Sequence, residues 1–190
     1  MIRFMYLKIS QDFFDSEFYY LTEMLEHLDV KVKDINNKIN LSTDPDADGL
    51  FDKGEYFIGV GFSLIQQYFS CTYPQLGVKR DDALRLGEKV TSEVSYARAI
   101  HAGANYWKHQ DEWGLINCIT RDIKKLNNNA KYTIQTIELL TPWADYTCAN
   151  LLAELVGDNE FSLSSLLPYI ALWRTDLDNV FGGANKQQAL

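Results

Sequence analysis

The sequence predicts an all-α protein, a helical bundle of about six helices folded as one domain over 1–190. Three observations carry this. Apolar residues recur at three-and-four spacing through most of the chain, and strand-like alternation is rare. Only four prolines occur, at 45, 74, 142 and 168, and they act as punctuation marks along the chain. No low-complexity linker or internal repeat divides the 190 residues, and 46% apolar content suffices for one core.

The elements follow in order. Phe14, Phe18, Leu21, Leu25, Leu28 and Val32 make one apolar stripe, so an amphipathic helix is predicted over 11–39. Asn36, Asn37 and Asn40 are expected to fray its end. A second helix is predicted over 52–72, stopped by Pro74. Gly59 and Gly61 lie inside it, and glycines kept in a helix usually admit another element at close range. A connector over 77–89 carries a short helix at 81–86. Further helices are expected over 91–113 and 117–126. The β-branched stretch 132–140 is read as helix because a lone strand would lack a partner. Pro142 is expected to open a helix to 156. The last helix spans 161–181, with Pro168 kinking or splitting it and Gly182 and Gly183 ending it.

Composition narrows function. The net charge is −8, which disfavours sequence-independent binding of nucleic acid, since that needs a basic face to displace counterions. RNA binding therefore lacks support from charge. The one basic cluster, Arg121, Lys124, Lys125 and Lys131, reads as a solvated helix end. An acidic surface favours solubility and a basic protein partner. Cys71, Cys118 and Cys148 are odd in number and form no C-x-x-C pair, so reduced, mostly buried thiols are expected. No apolar run approaches the length of a membrane span. The first ten residues are broken by Arg3 and Lys8 and carry no leader pattern, so a cytoplasmic protein is expected. No organic cofactor is implied.

Two segments carry candidate chemistry. The first is the acidic loop 44–55. Asp44, Asp46 and Asp48 stand at positions one, three and five of a twelve-residue loop, with Gly49 at six. The Leu50 carbonyl, Asp52 and Glu55 stand at seven, nine and twelve. Ca²⁺ takes six to eight oxygen ligands in such an arrangement, and the loop resembles that of an EF-hand. The resemblance implies one Ca²⁺ held by Asp44, Asp46, Asp48, Leu50, Asp52 and Glu55. No second loop of this kind occurs. Asp52 and Glu55 also suit a capped helix start.

The second is the segment 96–109. At 100° per residue, Tyr96, Ile100, Gly103 and Trp107 share one face, while Arg98, Ala102, Asn105, His109 and Glu112 share the opposite one. An arginine, an amide and a histidine in line suit phosphate binding or acid–base work. The small residues between them are expected to admit a ligand or a second chain. The stretch Ala104-Asn105-Tyr106-Trp107-Lys108-His109 resembles the R-N-x-x-x-H motif of the HEPN superfamily, with Asn105 and His109 matching and Ala104 in place of arginine; Arg98 is the nearest upstream arginine. The resemblance implies a helical bundle of prokaryotic defence or toxin–antitoxin type, a homodimer, and a site of Arg98, Asn105 and His109. The missing motif arginine points to a non-catalytic or degenerate site; an active version would be a metal-independent ribonuclease. The alternative function is an acidic interaction module, an antitoxin or immunity-type binder without enzymatic activity.

Overall fold

A computed structural model describes residues 6–9, 12–113, 126–142 and 145–185. A short antiparallel hairpin, β1 (Tyr6–Ile9) and β2 (Asp12–Asp15), pairs Tyr6 with Asp15 and Ile9 with Asp12. Seven α-helices follow among the described residues: α1 (Ser16–Leu41), α2 (Leu50–Thr72), α3 (Arg80–Ala83), α4 (Tyr96–His109), α5 (Asn128–Glu138), α6 (Thr147–Val156) and α7 (Leu167–Asn185). The class is all-α, as predicted. No helix is long and apolar enough to cross a membrane among the described residues.

Helix α2 is the axis of the bundle. It packs on α1, α4 and α6 and buries Ile58, Phe62, Ile65, Tyr68 and Phe69 along its length. Leu21, Leu25, Leu28, Val32 and Ile35 of α1 cover one side of it. Ile100 of α4, Leu151, Leu152 and Leu155 of α6, and Trp173 of α7 complete one continuous core. Burying each of these large side chains stabilises the fold by roughly 1.5–3 kcal/mol relative to exposure. The expected role of the helical glycines holds. A Cβ on Gly59 would lie 2.0 Å from the Trp107 ring, and one on Gly61 would lie 2.4 Å from Leu163.

Several boundaries differ from the sequence reading, each for a local reason. Residues 12–15 belong to β2, and α1 starts after Asp15, whose Oδ1 accepts from the Phe18 N–H at 3.0 Å. The asparagines near 36–40 do not fray the helix. Burial of Val32 and Ile35 and the Lys38–Asp34 pair carry α1 on to Leu41. Helix α2 begins at Leu50 because Gly49 takes the left-handed conformation (φ 63°) and Leu50 is buried behind it. Residues 91–95 form a turn, with Thr91 Oγ1 accepting from the Glu93 and Val94 N–H groups. Pro168 falls in the first turn of α7, where a missing N–H costs nothing, and the helix runs through Gly182 to Asn185. The Asp29 carboxylate holds the turn before α7, accepting from Leu163 N (2.6 Å) and Ser164 N (3.0 Å). The β-branched segment is helical, in α5. The stretch predicted over 117–126 falls, but for its last residue, outside the described residues, as do Arg121, Lys124, Lys125 and Cys118.

Candidate functional site

Three short-range devices set α4 in place. Ser95 caps it, its Oγ accepting from the Arg98 N–H at 3.1 Å and donating to the Leu84 carbonyl. The Val90 N–H bonds the Val94 carbonyl at 2.8 Å, and the Tyr96 N–H bonds the Glu88 carbonyl at 3.1 Å. These bonds tie the start of α4 to the segment after α3, so Arg80 comes to lie near the middle of α4. On the other side, Asn127 caps α5, accepting from the Ala130 N–H at 2.9 Å. Ala130, Ile134 and Ile137 anchor α5, leaving Tyr132 45% exposed.

Between these helices opens a cleft of about 310 Å³. His101, Asn105 and His109 line it from α4, at one-turn intervals, together with Arg80 from α3, Tyr132 from α5, and Glu112 and Trp113 beyond the end of α4. His109 Nδ1 meets Glu112 Oε2 at 3.0 Å, and the His109 ring stacks on Trp113 with centroids 5.6 Å apart. A carboxylate on one ring nitrogen orients a histidine and leaves the other for proton transfer. Burial, reinforced by the charges of Arg80 and Lys108 and opposed by Asp81, holds the His101 imidazole down at about 4, from an ordinary 6.5.

Two of the three residues singled out in the sequence thus share the cleft, Asn105 and His109. Arg98 does not line it. Its guanidinium lies 4.6 Å from the Tyr132 ring centroid, and its Nη1 donates to the Glu93 carbonyl at 3.4 Å. It supports a ring that lines the cleft. The small residues of α4 do not admit a ligand either. Ala97, Ala99, Ala102, Gly103 and Ala104 are all buried, and a Cβ on Gly103 would lie 2.8 Å from Phe62 and 2.9 Å from Leu151. They make room for α2 and α6. Arg80 and Tyr132 had no signal in the sequence, because separate segments bring them to α4, whereas His101 stands one turn before Asn105 and was legible from helical spacing. Glu112 was placed on the right face by helical spacing.

The shift of His101 has a consequence for stability. Its folded value lies below its ordinary one, so protonation favours the unfolded chain. The contribution is fully present above about pH 6.5 and is lost as the pH falls toward 4. The loss grows to about 2 kcal/mol at pH 5 and about 3 kcal/mol near pH 4. Denaturant melts between pH 7 and 4 are expected to show it, and His101→Asn to remove that part of the slope. Equal pH profiles for the two proteins would rule it out.

The acidic loop is arranged differently from a calcium cage. Glu55 is on α2 and turns its carboxylate onto the start of α6, where Oε1 accepts from Cys148 N (2.8 Å) and Oε2 from Ala149 N (2.9 Å). Burial pushes this carboxyl up and the two N–H groups pull it down, burial being the larger effect. Asp46 accepts from the Tyr146 hydroxyl at 2.6 Å, Asp48 from the Ser42 hydroxyl at 2.6 Å, and Asp44 from the Ala47 N–H at 3.1 Å. Leu50 opens α2, so its carbonyl points along the helix and away from the loop. Among the described residues, no three His, Cys, Asp or Glu side chains converge as a metal group would require. As arranged, the Glu55 carboxylate is engaged at α6 rather than with the loop carboxylates. Asp46 and Glu55 join this segment to the start of α6. Tyr146 adds to this joint, with φ 58° and its ring 5.2 Å from that of Phe51.

Glu55→Gln keeps one acceptor but sets an amide donor against an N–H. It is expected to cost about 1–2 kcal/mol in denaturant unfolding, alike with and without millimolar calcium. A calcium-dependent gain in the wild type that the variant lacks would restore the ion to the loop.

The described cysteines are thiols, Cys148 buried and Cys71 half-buried. Comparison of the chain with protein-family models, curated proteins and solved structures finds no match to any of them.

Proposed function

We propose that the α4 cleft receives a short single-stranded RNA and that His109 moves a proton at one of its phosphodiesters, a metal-independent ribonuclease chemistry of the HEPN type. One observation carries this reading: His109, oriented by Glu112 at 3.0 Å, shares a cleft with Asn105, His101 and a cation, Arg80. Arg80 comes from a different helix and supplies the positive charge that the motif lacks at Ala104. Trp113 and Tyr132 at the cleft offer faces on which unpaired bases can stack. The overall charge of −8 fits a short strand held by few phosphate contacts better than a long one.

The chemistry balances without a metal. His109 Nε2 takes the proton of a ribose 2′-hydroxyl. The 2′-oxygen attacks the adjacent phosphorus, the bond to the 5′-oxygen breaks, and that oxygen leaves with a proton from solvent. Arg80 meets the charge that grows on the phosphoryl oxygens. The test is cleavage of a short single-stranded RNA in the presence of a chelator by wild type, His109→Ala and Arg80→Ala. Equal rates for wild type and His109→Ala would remove the catalytic reading.

A second reading rests on the outer face of α1, where Tyr19, Tyr20, Met24 and Val30 are exposed among Glu17, Glu23 and Glu26. Such a face suits a protein partner with apolar and basic residues. A basic protein that co-purifies with wild type but not with a Tyr20→Ala/Met24→Ala variant supports it. Recovery of the same proteins with both removes it.

A further inference from the structure

His101 and His109 line the same cleft from the same helix, yet their hydrogen bonds give them opposite roles. The difference starts at Lys108. Its ammonium has only donors to offer, so the Gln66 atom that faces it is the carbonyl oxygen Oε1. Gln66 then presents its amide nitrogen to α4. There Nε2 donates to Asn105 Oδ1 at 2.9 Å and to the His101 carbonyl at 3.3 Å. With Oδ1 used in this way, Asn105 presents its Nδ2 to His101 Nδ1, at 3.3 Å. A donor at that position needs a lone pair on Nδ1, so the proton of the neutral ring sits on Nε2.

Each link is forced by the one before, beginning from a group that cannot accept. Gln66 is 6% exposed, so solvent does not compete for its amide. His109 is set the other way. Its Nδ1 meets the Glu112 carboxylate, which can only accept, so the neutral ring carries its proton on Nδ1 and its lone pair on Nε2.

We infer that Gln66 is a positioning residue that, through Asn105, fixes His101 as the Nε2–H tautomer, a standing hydrogen-bond donor to a phosphate oxygen in the cleft. Beside it, His109 Nε2 is the acceptor. His101 Nε2 has no protein acceptor among the described residues, and burial together with Arg80 and Lys108 keeps the ring uncharged at neutral pH. A neutral donor binds a phosphate without surrendering its proton to it. The tautomer follows from the hydrogen bonds alone, whereas the phosphate as occupant rests on the proposed function.

Nitrogen-15 NMR of the full-length protein at pH 7 tests both parts. Wild-type His101 is expected to show a protonated Nε2 and a bare Nδ1. In Gln66→Glu the carboxylate still pairs with Lys108 but can only accept from Asn105. The Asn105 amide then reverses, its Oδ1 faces the ring, and the proton moves to Nδ1. Asn105→Asp breaks the relay one link later and is expected to move the proton in the same direction. His27, exposed on α1, serves as the control that does not change.

A wild-type His101 with its proton on Nδ1, or divided between the two nitrogens, overturns the relay even if neither variant folds. So does an unchanged tautomer in both variants. Inorganic phosphate is then titrated into the wild type. A saturable shift of the His101 Nε2 signal, weakened about tenfold in Gln66→Glu, supports the donor role; tenfold corresponds to about 1.4 kcal/mol, one hydrogen bond. Short single-stranded RNA is expected to move Trp113 and Tyr132 as well, which free phosphate does not. The expected tautomer with no response to either probe overturns the phosphate occupant and the proposed function, and leaves the relay standing.

Discussion

Asp15→Ala is expected to cost the fold about 3–5 kcal/mol, enough to unfold a domain of ordinary stability. The carboxylate is 2% exposed and does three things at once. Its Oδ2 pairs with Arg174 Nη1 at 2.8 Å and accepts from the Tyr68 hydroxyl at 2.6 Å. Its Oδ1 caps α1 through the Phe18 N–H. Removing it strands the Arg174 guanidinium, 10% exposed between the rings of Phe13 and Phe18, with no counter-charge. Most of the loss comes from that orphaned charge. A double variant, Asp15→Asn with Arg174→Met, is therefore expected to be more stable than Asp15→Ala, since both charges leave together and the asparagine still caps α1. Chemical denaturation of the three proteins measures this. A double variant no more stable than the single one would show that the cap and packing, not the stranded cation, dominate.

His109→Ala is expected to lower cleavage of single-stranded RNA by about 10²- to 10⁴-fold in kcat, with KM little changed, because the lost interaction is proton transfer in the transition state. Glu112→Gln is expected to fall between this variant and wild type, since an amide can still accept from Nδ1–H but no longer offsets the charge of a protonated ring. Arg80→Ala is expected to change both constants, as its charge meets the phosphate in the ground state and more strongly in the transition state. Arg80→Lys should recover part of the loss, because the charge returns without the planar fork. Single-turnover rates against strand concentration separate these effects. A kcat for His109→Ala equal to that of wild type sinks the assignment of the proton to this histidine.

The sequence carried the helical class well because helices announce themselves locally. The stripe from Leu21 to Val32 and the prolines each state a demand that neighbours in the chain can meet, whereas the glycines at 59 and 61 mark close approaches whose partners, Trp107 and Leu163, came only with the fold. Boundaries were less legible. Asp15 ends a strand and caps a helix, a role set by its partners Tyr68 and Arg174, 53 and 159 residues away. The acidic loop shows the limit of spacing as evidence. Its carboxylates stand at the right intervals for calcium, but the structure gives Glu55 to the backbone of Cys148 and Ala149, some 93 residues on. Spacing records where oxygens occur along the chain and not which donors will reach them.

The same division runs through the cleft. Helical periodicity by itself put Asn105, His109 and Glu112 on one side of α4, since side chains three and four apart share a face whatever surrounds them. It also put Arg98 with them, and there the tertiary structure decided otherwise, stacking that cation behind Tyr132 and bringing in Arg80. The protonation of His101 likewise depends on an amide 35 residues earlier, on α2. The sequence determined the helices and the faces, which arise from local geometry. Only the packing of α2, α3 and α5 against α4 decided which charges face the cleft and, through Gln66, which nitrogen of His101 holds its proton, because those depend on groups that meet in space alone.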